Sequence, residues 1–287
     1  MINKEKFIRK IRIGRLSTFG GRLLIYAFLT GISYLLLFPF LYMVVTSVKN
    51  YSDLYDFTVK WVPHEFHWQN YAIAYNLLNY WNHFGNSLML TTVCTLGHLL
   101  SASFIAYGFA RYSFPGKKIL FQTVVLSLLF STVVTGIPNY IIITKLHMIN
   151  TVWALILPLL PSSLGLFLMK QFMDQMIPDT LLEAARLDGA GENRIFFSIC
   201  LPLVKPAIMT LLIYSFQGIW NSTGGSYIFD EKLKTLPTAL NNIITSGISR
   251  TGVSSAVSLL LILPPIAVFL FAQSNVLQTM ATSGMKD

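Results

Sequence analysis

Six stretches of this chain run apolar for the length of a helix or more: 23–46, 86–109, 119–138, 152–170, 206–221 and 256–274. Charge is nearly absent around them. No Asp, Glu, Lys or Arg stands between Arg22 and Lys49, Glu65 and Arg111, Lys118 and Lys145, Lys145 and Lys170, Lys205 and Asp230, or Arg250 and Lys286. A helix needs about 20 apolar residues to cross about 30 Å of hydrocarbon, and most of these gaps exceed that. The apolar positions are continuous rather than alternating, and lipid requires each backbone polar group to be satisfied within its own segment. The pattern therefore predicts spanning helices and not barrel strands. Pro158 and Pro161 in the fourth stretch and Pro264-Pro265 in the sixth predict kinks. The gap after Glu65 opens on "HWQNYAIAYNLLNYWNHFGN", whose polar and aromatic mix suits a segment at the membrane interface.

The expected fold is thus all-α: a polytopic membrane protein with about six transmembrane helices. A basic N-terminal segment (1–22) precedes the membrane domain (23–274), and a short tail (275–287) follows. Composition agrees, with 54% of the 287 residues hydrophobic and 11% charged, against about 25% charged in soluble domains. With the N-terminus inside, 15 of the 21 Lys and Arg fall on inner segments, so the positive-inside rule predicts both termini in the cytoplasm. That bias accounts for the net charge of +9. Basic repeats interleaved with aromatics are missing, so no nucleic acid is expected as partner. The leading "KEKFIRKIRIGR" has a long apolar run behind it and no small-residue cleavage site, which predicts a retained first helix whose basic face can meet anionic membrane lipid.

Candidate chemistry is sparse. His64, Glu65 and His67 lie close together in "HEFHW", but the proline and aromatics around them favour an interfacial loop over a metal site. His98 sits inside the second stretch with no intramembrane carboxylate to exchange a proton with, so a neutral histidine bonded to a neighbouring helix is expected. Cys94 and Cys200 fall in different regions and form no disulfide framework. "FPGKK" lacks the leading glycine and the hydroxyl residue of a phosphate cradle, so the chain is expected to be no enzyme and to bind no cofactor itself.

One stretch breaks the apolar pattern. Between Asp179 and Arg194 stand six charges, Asp179, Glu183, Arg186, Asp188, Glu192 and Arg194, which would cost on the order of 15 to 20 kcal/mol to bury in lipid unpaired. The segment must leave the membrane, yet it reads as helix. Pro178 suits a first position and Asp179 opposes the helix dipole. Gly189 ends the helix, a second helix covers Glu192 to Ile199, and Pro202 and Pro206 mark re-entry. Leu182, Ala185, Ile195, Phe196, Ile199 and Leu201 are too many apolar groups to leave in water. Some are expected to pack on the spans and the remainder to meet a docked partner.

Glu183-Ala184-Ala185, three residues, Gly189, nine residues, Ile199, one residue and Leu201-Pro202 resemble at every position the EAA loop of permease subunits in binding-protein-dependent ABC importers. The stretches "NSLMLTTVCTLGHLLSASFIAYGFARYSFPGKK", "LDGAGENRIFFSICLPLVKPA", Trp220-Asn221 and "LKTLPTAL" resemble the carbohydrate branch and are similar to the second membrane subunit of the maltose importer. Ser222-Thr223-Gly224-Gly225 departs from the acidic or amide residue that many relatives carry after the Trp-Asn pair. The resemblance implies a multi-pass protein of a bacterial-type cytoplasmic membrane whose EAA loop (172–205) forms a coupling helix. It implies that Glu183, Ala184, Ala185, Asp188, Gly189, Ile199, Leu201 and Pro202 meet a cytosolic ATPase. The implied partners are two such ATPase subunits, which bind ATP and Mg, a second related permease, and an extracytoplasmic solute-binding protein. Polar residues on the spans, Ser131, Thr132, Asn139, Gln217 and Asn221, with Tyr214 and Trp220 available for stacking on sugar rings, are the candidate solute pathway. A permease for a non-sugar solute and a non-transporting membrane anchor stay open as alternatives.

Overall fold

The computed structural model describes residues 19–222, 227–245 and 251–283, with the side chains of 19, 20, 132, 133 and 274–283 outside the description. The N-terminal segment before residue 19, Thr223 to Ser226 and the end of the tail fall outside it. Every regular element among the described residues is helical. Besides a single 3-10 turn at Glu231–Leu233 they are, in order, α1 (Phe19–Ser47), α2 (Tyr51–Tyr55), α3 (Gln69–Leu77), α4 (Tyr80–Arg111), α5 (Lys117–Ser127), α6 (Thr132–Lys145), α7 (Val152–Leu159), α8 (Ser163–Met176), α9 (Asp179–Leu187), α10 (Glu192–Leu203), α11 (Lys205–Trp220), α12 (Leu236–Ile244) and α13 (Thr251–Ser283). Among them, four continuous or nearly continuous spans are long and apolar enough to cross a membrane: Gly21–Ser47, Tyr80–Arg111, Val152–Met176 and Thr251–Gln273. α10 and α11, bent by 77° from one another, reach that length and hydropathy only when the two are taken together.

The third expected span is divided. In place of one helix over 119–138 the chain forms α5 and α6, neither of which reaches the length needed to cross alone. At the break Ser127 Oγ lies 2.7 Å from the Val124 carbonyl and 2.7 Å from Ser163 Oγ of α8. Leu128, Leu129 and Phe130 then close with tighter three-residue bonds, and the Ser131 carbonyl restarts the helix by accepting from Val134 and Thr135. The fourth span breaks at Leu160–Ser162, where Pro161 has no N–H, and Ser162 caps α8 by accepting from Gly165 N–H at 3.0 Å. α13 continues through Pro264 and Pro265 as one helix.

The chain separates into two compact units, residues 1–72 with 248–259, and residues 73–247 with 260–287. In the first, no residue in the apolar window of α1 is buried, as suits a helix whose surroundings are lipid. The segment after it is knotted by polar bonds. Lys49, 4% exposed, donates to the carbonyls of Val59 (2.6 Å) and Lys60 (3.2 Å), and the Asn70 amide donates to Ser47 and Lys49 carbonyls, each at 2.9 Å. The buried Asp53 carboxylate accepts from His64 N–H at 3.0 Å and meets its Nδ1 at 2.8 Å. The ring bond to His64 holds Asp53 below its ordinary range, and Asp53 raises His64 in return.

The second unit has its main core where α4, α8, α9, α10 and α11 meet, around Ala102, Ala106, Met169, Met173, Leu182, Ile195, Cys200, Val204 and Leu211. The broken fourth span supplies a further tie. Because α7 stops at Leu159, that carbonyl has no helical partner, and His98 Nε2 of α4 donates to it. Its Nδ1 lies 3.0 Å from Ser215 Oγ of α11, so one imidazole joins three helices. At Gly97 beside it a Cβ would come within 2.7 Å of Leu160 Cδ2, so any side chain there would have to displace the leucine's end. His98→Phe leaves Leu159's carbonyl and Ser215's hydroxyl without this partner. The expected loss is about 2 to 4 kcal/mol of stability, read as a lowered thermal unfolding midpoint in detergent; an unchanged midpoint contradicts the structural role.

Candidate functional site

The segment from Asp179 to Leu203 forms an elbow of two helices, and the local grammar explains its corner. α9 begins after Pro178, carries Asp179 in its first turn and Arg186 in its last, and so matches its own dipole at both ends. Gly189 stands at φ +80°, with its N–H bonded to Arg186 O and Ala190 N–H bonded to Ala185 O, both at 3.0 Å. This paired closure satisfies the last carbonyls of α9 and requires the left-handed residue. A Cβ at Gly189 would meet no atom within 4 Å; the glycine is there for its backbone. The second helix runs to Leu203, beyond the expected Ile199, through a π turn over Phe196–Cys200 in which Leu201 N–H reaches back to Phe196 O. That widened turn carries the chain into Pro202, which has no N–H to return.

Two sets of polar contacts fix the elbow to the bundle. Arg111, the last residue of α4, has a side chain 6% exposed and donates to the Asp179 carboxylate and to the carbonyls of Met173 and Ile177, the last at 2.7 Å. One guanidinium thereby holds the end of α8 and the start of α9. At the corner, Glu192 accepts from Arg186 Nε at 2.8 Å and from Tyr107 Oη of α4 at 2.7 Å. The Arg186 guanidinium, with the Tyr107 and Tyr112 hydroxyls, holds the Glu192 carboxyl down at about 2, far under the ordinary carboxylate range. Neither set was visible from spacing, because Arg111 and Asp179 are 68 positions apart.

The elbow's apolar groups divide differently from the sequence expectation. Leu182, Ile195 and Phe196 are buried, and Ala185, Ile199 and Leu201 pack against the same core. All six face the bundle. What α9 and α10 leave outside is a different set: Leu187 at 89% exposure, Phe197 at 50% and Leu181 at 41%. Beside Leu187 the exposed Glu183, Ala184 and Asp188 share the outer surface, and Glu183 makes no hydrogen bond or ion pair among the described residues. Pro202 is exposed as well. α9 therefore has one face built into the protein and one face open.

The solute-pathway candidates also separate. Tyr214, Gln217 and Asn221 are exposed and fall at helical spacing on one face of α11. Gln217 and Asn221 open onto a cleft of about 300 Å³ with Phe216, Pro265 and Phe269. Asn221 donates to Gln217 O at 2.9 Å. Trp220 lies on the other side of the helix and is 1% exposed, its Nε1–H given to Leu261 O at 2.8 Å and its ring stacked on Phe216 with Phe84 at its edge. In this arrangement Trp220 is a core residue and offers no face to a solute. Ser131 is exposed and Asn139 half-buried on α6; the Thr132 side chain is outside the described residues.

The family described as "Binding-protein-dependent transport system inner membrane component" matches residues 21–281. Protein LplC of Bacillus subtilis (strain 168) is 30% identical over 275 residues, covering 90% of this chain and 92% of that protein. The arabinooligosaccharides transport system permease protein AraQ of the same organism is 30% identical over 270 residues, covering 92% and 96%. Among solved structures, a chain from a bacterial ABC transporter involved in the import of the acidic polysaccharide alginate superposes with a TM-score of 0.77 at 20% identity, over 90% of this chain and 98% of that one. A helical membrane fold with an elbow after the fourth span, matched nearly end to end by this family, leaves one assignment: the chain belongs to the binding-protein-dependent transport system inner membrane components.

Proposed function

We propose that this permease subunit forms half of the solute pathway of an ATP-driven importer for a sugar or oligosaccharide, and that α9 is the element a cytosolic ATPase grips. The observation that carries the proposal is the division of α9: Leu182 and Ala185 rooted in the core, Leu187 and Glu183 outside, and Arg111 fixing its start. A helix anchored in this way transmits a push to α4 and α8 as rigid bodies instead of yielding locally. In this reading Glu183 faces a basic group on the ATPase, Ala184 lets the two surfaces approach closely, and Gly189 with Asp188 turns the chain past the rim of the cleft. Ile199, Leu201 and Pro202 shape the return limb. ATP and Mg belong to two ATPase subunits, the other half of the pathway to a second related permease, and delivery to an external binding protein. Both termini and the elbow lie in the cytoplasm.

The solute is read from chemistry. The exposed face of α11 presents a phenol and two amides without charge, which suits a neutral, hydroxyl-rich cargo. The name of AraQ points the same way. Reconstituted with its ATPase, partner permease and binding protein, the subunit is expected to support at least about fivefold stimulation of ATP hydrolysis by one member of a saccharide panel, a coupling of ordinary allosteric size. Association without stimulation by any solute would indicate an anchor, and uptake that survives loss of the ATPase would indicate a secondary transporter.

A further inference from the structure

A second site lies at the same end of the bundle as the elbow, and its chemistry is not that of a coupling surface or a sugar pathway. Where α4 turns into α5 beside α8, a cleft of about 660 Å³ is bordered by Lys117, Lys118 and Lys170 and floored by Phe109, Phe114 and Phe121. The phenylalanine rings are mutually packed, Phe109 lying 5.6 Å from Phe114 and 5.7 Å from Phe121 between centroids. Lys170 Nζ stands 4.8 Å over the Phe121 ring and also pairs with Asp174 at 2.6 Å. Among the described residues Lys117 Nζ is held by the Tyr112 carbonyl alone, at 2.9 Å. Lys118 is exposed and makes no hydrogen bond or ion pair among the described residues.

Two lysines thus stand without an acidic partner among the described residues, above an apolar floor and at the end of spans that run through the membrane. A cleft that offers ammonium groups at its rim and rings beneath asks for a ligand that is anionic at one end and apolar along the rest. We infer that this cleft binds an anionic phospholipid of the inner leaflet, with its phosphate between Lys117 and Lys118 and an acyl chain along Phe109, Phe114 and Phe121. The inner-leaflet assignment rests on the orientation proposed above. Lys170, neutralised by Asp174, serves as the wall and not as a phosphate partner. A lipid seated there bridges α4, α5 and α8, the helices whose ends carry Arg111 and α9.

The test uses the full chain extracted with its associated subunits in mild detergent and washed before lipid analysis by mass spectrometry. Phosphatidylglycerol is expected to be retained. Lys117→Gln and Lys118→Gln are each expected to lower its retention about fivefold, the change that corresponds to about 1 kcal/mol per lysine near anionic headgroups. Phosphatidylethanolamine should be unaffected, and Lys145→Gln, a lysine remote in sequence and outside the cleft, should retain phosphatidylglycerol. Equal retention in the cleft variants and wild type overturns the site, and equal loss in Lys145→Gln reduces it to net charge. In a thermal-shift arm, phosphatidylglycerol should raise the unfolding midpoint and glycerol phosphate should not. Protection by glycerol phosphate alone would overturn the lipid in favour of a soluble phosphate. None of these readouts depends on transport, so a failure here is distinct from a failure of the importer reading.

Discussion

Arg111→Met is expected to release the elbow from the bundle while leaving the chain inserted in the membrane. The substitution keeps an apolar stem of similar reach and removes the guanidinium that is shared by Asp179, Met173 and Ile177. The ion pair itself is the smaller part of the loss, because the Asp179 side chain is 77% exposed and water screens it. The carbonyls matter more. Ile177 caps α8, and the last carbonyls of a helix have no partner of their own; leaving one buried without a donor costs about 1 to 3 kcal/mol. The total expected cost is about 2 to 4 kcal/mol, concentrated at the junction of α8 and α9. Hydrogen exchange should report it as at least about tenfold faster exchange over residues 179–203, with α4 and α13 still protected. Solute-stimulated ATP hydrolysis should fall with it. Arg111→Lys supplies the charge without the planar fork and should recover only part of the protection. If exchange over 179–203 is unchanged in Arg111→Met, the guanidinium is not what holds the elbow.

The parts of this molecule that the sequence announced are those governed by large, local costs. Spans were visible because a charge in lipid is expensive wherever it falls, and the ends of α9 were visible because Pro178, Asp179 and Gly189 act on their own backbone. The third span was misread for the opposite reason. Its run carries no charge, and the division is a short stretch of three-residue bonds at Leu128, Leu129 and Phe130 that hydropathy does not register. Burial at the elbow was misjudged because it was counted by residue type. Leu182 and Leu187 are equally apolar, but five residues along a helix turn the side chain by about 140°, and once Leu182 enters the core Leu187 must leave it. Trp220 illustrates the same point: an aromatic near polar neighbours reads as a stacking platform until its N–H is found bonded to Leu261 O. Tyr107, Arg111 and Glu192 were missed as a group, since the bonds that make them matter join α4 to the elbow across the fold.

Gly189 separates the cost of a turn from the presence of a partner, and three substitutions there should give three different results. Among the described residues the demand is backbone: φ is +80° and a Cβ would touch nothing within 4 Å. Gly189→Ala must hold a left-handed conformation at about 1 to 2 kcal/mol, and Gly189→Asn less, because its short polar side chain tolerates that region. Neither adds a clash inside the protein. Gly189→Arg pays a similar backbone cost to Ala, and its extra length projects away from the bundle. If the open face of α9 lies in a close-fitting cleft of the ATPase, Gly189→Arg should abolish solute-stimulated hydrolysis, at least about a hundredfold below wild type, while Gly189→Asn retains most of it. Membrane insertion of all three should stay at the wild-type level, and thermal stability should fall by no more than that backbone cost. Glu183→Ala, which removes an exposed carboxylate with no partner among the described residues, should leave stability untouched and weaken docking about tenfold, the worth of one charge pair desolvated on binding. A ranking of Arg, Ala and Asn that follows their backbone costs alone, with Glu183→Ala silent, would mean that α9 is a structural cap whose outer face meets only water.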